Sequence, residues 1–100
     1  MECIKCKRTF LKNERIVSMS GSIMGDEHTD TFYLCPVCQA YSVESCWDNF
    51  TGGDETIEVR GPLDKTQGEG RIAIIMRCEK PWDKKCRCEA HREYFNDTLD

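Results

Sequence analysis

The sequence predicts a small α+β domain held together by metal. Short alternating and β-branched runs mark strands, while two stretches with key residues three and four apart mark helices. Eight cysteines in 100 residues, most of them in ligand-type spacing, supply the third observation. Ile, Val, Leu and Phe together number 19 and the net charge is -4. That apolar content gives a thin core for a chain of this length. Structural zinc contributes roughly 10–16 kcal/mol of apparent binding energy in small zinc peptides, comparable to the whole stability of an ordinary domain. The chain is expected to form one domain over 1–100, divided into a hairpin at 1–38 and a helix, hairpin and C-terminal metal-binding helix at 39–100.

The N-terminal part opens on Cys3-x2-Cys6, a spacing that turns the chain so that both sulfurs face one point. Arg15 to Met19 reads as a strand, Ser20-Gly21-Ser22 as turn chemistry, and Gly25 to Asp30 as a polar loop. His28 falls in that loop and is expected to be solvated. Thr31-Phe32-Tyr33-Leu34 makes a second strand that delivers Cys35-Pro-Val-Cys38.

A helix is expected over 39–50, because Val43, Cys46, Trp47 and Phe50 fall at i, i+3, i+4 and i+7. Thr51 to Asp54 would stop it, glycine being free to turn the chain past the helix end. Thr56 to Arg60 alternates as a strand, Gly61-Pro62 breaks it, and Asp64 to Gly70 reads as a loop. Arg71 to Met76, the most apolar run, is expected to be the central strand that presents Cys78. Cys88 to Leu99 has helical spacing, which puts Cys88 and His91 on one face.

Two tetrahedral sites follow. Cys3, Cys6, Cys35 and Cys38 form the first, an all-thiolate set that closes a tetrahedron around zinc. Cys78, Cys86, Cys88 and His91 form the second. Cys46 is set aside as a small hydrophobe on the apolar stripe of the middle helix. The expected cofactors are two Zn2+, with iron possible at the first site.

Two cysteine turns joined by a hairpin resemble a zinc ribbon over about the first forty residues. The resemblance implies a structural zinc at Cys3, Cys6, Cys35 and Cys38. The same pairs also resemble rubredoxin, which implies one iron and electron transfer, although Lys7 and Gln39 stand where rubredoxin turns usually carry glycine. Cys35-Pro-Val-Cys38 between a strand and a helix is similar to a thioredoxin-like redox motif, but the further strand–helix–strand units of that fold are missing.

No acid–base carboxylate pair, nucleophile motif or phosphate loop is recognisable, so a non-enzymatic module is expected. It would dock onto another protein as a regulator or accessory subunit, with Trp82, Tyr94 and Phe95 as exposed aromatic candidates. The alternative partner is nucleic acid. Eleven of the 14 Lys and Arg residues lie in the windows 3–15 and 77–92, beside the two clusters. Cations near thiolates also favour the metal-bound form, and this local role needs no partner. No apolar run spans a membrane and no apolar leader follows Met1, so reduced thiols in a cytoplasmic protein are expected.

Overall fold

A computed structural model describes residues 2–23, 25–48 and 55–96. Among these residues four strands, β1 (Arg15–Ile23), β2 (Asp26–Leu34), β3 (Tyr41–Asp48) and β4 (Thr56–Leu63), form one antiparallel sheet in chain order. Two helices follow, α1 (Lys65–Met76) and α2 (Glu89–Tyr94), and a single 3-10 turn, Lys12–Glu14, precedes β1. The α+β class is therefore as expected. Met19, Phe32 and Val43, one from each of the first three strands, pack with Ile75, Ala90, Tyr94 and Phe95 to make the core between sheet and helices.

The strands run further than their apolar segments. The stretch 25–30 is not a loop: all but Gly25 belong to β2, which alternates so that His28, Asp30 and Phe32 are buried. On the opposite face Ser20 Oγ and Thr29 Oγ1 pair at 2.9 Å, a cross-strand hydrogen bond between residues in register. Strand β1 likewise continues through Ser20-Gly21-Ser22 to Ile23.

The middle helix expected over 39–50 is strand β3 instead. Val43, Ser45 and Trp47 pair with Phe32, Asp30 and His28, a period of two that shares Val43 and Trp47 with the helical reading. Among the described residues only Cys46 distinguishes the two, and it falls on the other face, beside Thr29 and Ile57. Pairing with β2 and β4 on both sides outweighs the local spacing. Phe50 and the stop at 51–54 lie outside the described residues.

The second hairpin expected over 56–78 also gives way. β4 runs on through the cis Gly61-Pro62 bond to Leu63, and 65–76 is one helix. Asp64 caps it: its carboxylate accepts from Gln67 N at 2.7 Å, and the Gln67 side chain accepts from Asp64 N at 3.2 Å. This reciprocal box satisfies two donors at the helix start. Gly68 lets the helix approach the sheet, because a Cβ there would sit 2.1 Å from the Tyr41 ring. The C-terminal helix is described as Glu89–Tyr94, and 97–99 lie outside the described residues.

Two of the three aromatics expected to be exposed are core residues. Tyr94 and Phe95 are buried, and only Trp82 stands in solvent.

Candidate metal centres

The first centre is built from two matching knuckles at one end of the sheet. In one, Cys3 O accepts from Lys7 N at 2.9 Å and Cys3 N donates to Arg8 O at 2.7 Å. In the other, Cys35 O accepts from Gln39 N at 2.9 Å and Cys35 N donates to Ala40 O at 3.1 Å. Lys7 and Gln39 both take the left-handed conformation, at φ 65 and φ 55. These are the positions where the rubredoxin comparison expects glycine, and the backbone adopts the glycine-type turn without it. The Gln39 side chain steadies its turn by donating to Pro36 O at 2.9 Å. Ile4 N donates to Ser42 Oγ at 3.2 Å, which docks the first knuckle on β3. Phe10 stacks on Tyr33, with ring centroids 5.1 Å apart, and covers Cys3 and Cys35.

The sulfur geometry suits a tetrahedral ion. Cys3 and Cys38 Sγ lie 3.4 Å apart, Cys6 and Cys35 3.6 Å, and Cys6 and Cys38 3.9 Å. Four sulfurs about 2.3 Å from a zinc ion stand about 3.8 Å from one another. All eight cysteines are free thiols, so these contacts are not disulfides.

The second centre joins the end of α1 to the start of α2. Cys78 closes the last turn of α1, donating from its N to Ile75 O at 3.0 Å. Cys88 is the N-cap of α2, and its sulfur accepts from His91 N at 3.4 Å. Cys78 Sγ lies 3.8 Å from Cys86 Sγ and 3.1 Å from His91 Nδ1; Cys88 Sγ is 3.5 Å from the same nitrogen. His91 Nε2 is 2.9 Å from Ser20 O, which can only accept, so the ring proton is on Nε2 and Nδ1 presents its lone pair to the sulfurs. Ser20 N also donates to Pro81 O at 2.8 Å, so both outward backbone groups of this edge residue are covered.

Electrostatics prepares both clusters. Burial pushes the Cys3 thiol up, but N–H groups of Cys6 and Lys5 and the neighbouring thiols outweigh it and bring it to about 6. Burial raises Cys88 too, yet the His91 backbone and ring and the nearby thiols bring it to about 6. Burial, first of all, holds Cys38 and Cys78 up at about 12. Each cluster therefore pairs one thiol biased toward the thiolate with one biased toward the protonated form, and a dication bound there would displace protons.

The eight expected ligands thus come together as two groups of four, each with its ligand atoms within 4.8 Å of one another. Both groups could hold a metal ion. Cys46 joins neither; its thiol donates to the Glu55 carboxylate. That bond, together with burial, raises Cys46 to about 11. His28, expected in solvent, is buried against Trp47. Its alternation with Asp30 and Phe32 was the available signal.

The fold and the two clusters define a small α+β protein with paired metal-binding knuckles. Comparison of the chain with protein-family models, with curated proteins and with solved structures finds no match. Among the described residues no helix is long and apolar enough to cross a membrane.

Proposed function

We propose that the chain is a non-enzymatic module holding two Zn2+, which docks onto another protein as a regulator or accessory component. The observation that carries this reading is the closure of both donor sets. Four protein atoms within 4.8 Å of one another at each cluster are enough for a closed tetrahedral set, an arrangement that leaves no position for substrate. Three cysteines with one histidine are a zinc-type set, and the two knuckles of the first cluster fit a zinc-ribbon-type site. Eight unbonded thiols fit a reducing, cytoplasmic setting.

Apolar residues at the centres supply the docking surface. Val37, inside the second knuckle, is 71% exposed, and Trp82, between Cys78 and Cys86, is 68% exposed. An exposed tryptophan between two candidate ligands is the kind of anchor that interface hot spots use. The nucleic-acid alternative draws less support. Arg8 pairs with Glu14, Arg77 with Glu93, and Lys84 with Glu27, so three of the cations in the basic windows already face carboxylates.

Quantitative co-purification of wild type, Val37→Ser and Trp82→Ala tests this. The expected result is a stoichiometric protein partner lost from a variant whose metal content is unchanged. Retention of every partner by both variants, or salt-sensitive binding of DNA or RNA by the purified chain, would overturn it.

A further inference from the structure

A polar cluster outside both metal centres lies on the inner face of the sheet. Asp30 accepts from Ser45 Oγ and from the Tyr94 hydroxyl, each at 2.7 Å. His28 Nε2 lies 2.6 Å from Asp30 Oδ1, yet neither ring nitrogen makes an aligned hydrogen bond among the described residues. The residue is only 6% exposed. Its ring is stacked on Trp47 with centroids 3.9 Å apart and tilted against Phe95 at 5.7 Å. Nε2 keeps the Asp30 carboxylate beside it, whereas Nδ1 has no partner among the described residues. A buried polar atom without a partner costs about 1–3 kcal/mol, so Nδ1 at a cavity wall points to a site completed by something else.

These residues line a cavity of about 370 Å³, a volume typical of small-molecule sites. Among the described residues its lining carries two guanidinium groups, Arg60 and Arg71, and one carboxylate, Asp30. That carboxylate is already claimed by Ser45 and Tyr94. Arg60 approaches Glu58 only at 3.6 Å on the open surface. Arg71 lies over the Tyr94 ring at 5.2 Å and donates to Tyr94 O at 3.3 Å, which leaves most of its donors to spare. Ile23, Phe32, Val43 and Leu63 make the apolar part of the wall.

We infer that this cavity binds a small amphipathic anion, its carboxylate or phosphate head held by Arg60 and Arg71 and its short apolar body against Ile23, Phe32, Val43 and Leu63. Guanidinium forks match both head groups, and an apolar wall rewards the body. His28 Nδ1 is the polar atom that the ligand completes. The site holds whichever metal fills the two clusters.

Titration of the metal-loaded Trp82→Phe protein, in which Trp47 is the remaining tryptophan, tests this with octanoate, octyl phosphate and neutral octanamide. Trp47 fluorescence should change saturably, with at least one anion bound tenfold or more tightly than octanamide, and the stronger anion identifies the head group. Arg60→Gln should weaken that anion at least fivefold while leaving octanamide binding and thermal stability unchanged; Arg71→Gln should do the same to the anion. Amide shifts mapped by NMR should centre on Trp47, Arg60 and Phe95. Absence of both saturable fluorescence change and localised shifts, equal affinity for octanamide, or full anion affinity in both arginine variants would overturn the inference.

Discussion

The imidazole of His91 donates from Nε2 to the backbone carbonyl of Ser20, 2.9 Å away, and so turns Nδ1 toward Cys78 and Cys88. One ring thus ties strand β1 to the second cluster and fixes which nitrogen is available to a metal ion. Outer partners of this kind typically change metal affinity by about 10–100-fold. His91→Ala should lower the metal content by one equivalent per chain and reduce thermal stability, measured by elemental analysis and melting. Full occupancy in that variant would contradict the assignment.

Cys46 should behave as a protected thiol rather than a ligand. Cys46→Ala is expected to leave metal content unchanged and to cost on the order of 1 kcal/mol. With the thiol raised to about 11 by Glu55 and burial, little thiolate exists at pH 8. Glu55→Gln should therefore accelerate alkylation of Cys46 by roughly tenfold or more. Loss of one metal on changing Cys46 would place it in the second cluster.

Gly68 and Gly70 sit two residues apart in α1 and should respond oppositely to alanine. At Gly68 the new Cβ would lie 2.1 Å from Tyr41 Cδ2, whereas at Gly70 nothing lies within 4 Å. Gly68→Ala should destabilise by about 1–3 kcal/mol through overpacking. Gly70→Ala should stabilise by roughly 0.5–1 kcal/mol through helix propensity. Denaturant melts of the two variants decide this.

Tyr94 gives the protein an alkaline limit. Burial, and then the Asp30 charge, push its phenol well above the usual 10.0. The unfolded chain therefore loses this proton first, and stability falls as pH rises beyond 10.0, by up to about 1.4 kcal/mol per pH unit. Below 10.0 the contribution is fully present. Tyr94→Phe should lessen that slope, to which the raised phenols of Tyr33 and Tyr41 also contribute, and, by stripping Asp30 of a hydrogen bond, cost about 1.5–3 kcal/mol at neutral pH. Melts from pH 8 to 11 compare the two proteins.

The metal clusters were legible because ligand spacing is local: Cys3-x2-Cys6, Cys35-Pro-Val-Cys38 and Cys88-x2-His91 each set their geometry within one turn. Strands were legible where β-branched residues gather, at Thr31 to Leu34 and Thr56 to Arg60. β3 was not, because Val43 and Trp47 satisfy both a helical and an alternating pattern, and only pairing with β2 and β4 decides between them. α1 was hidden by Gly68 and Gly70, which read as loop chemistry. The reason for Gly68 is Tyr41, far away in the chain. The cluster around Asp30 was hidden similarly, since its partner Tyr94 is 64 residues distant.

The central claim is that two closed zinc centres hold this fold together. Elemental analysis of purified protein, followed by circular dichroism during chelation, tests it most directly. The expected result is two zinc per chain, a colourless protein, and loss of the sheet signal as metal is withdrawn, because binding energy at such sites is folding energy. Visible absorption from thiolate-bound iron, fewer than two metals per chain, or an intact fold in the stripped protein would contradict it.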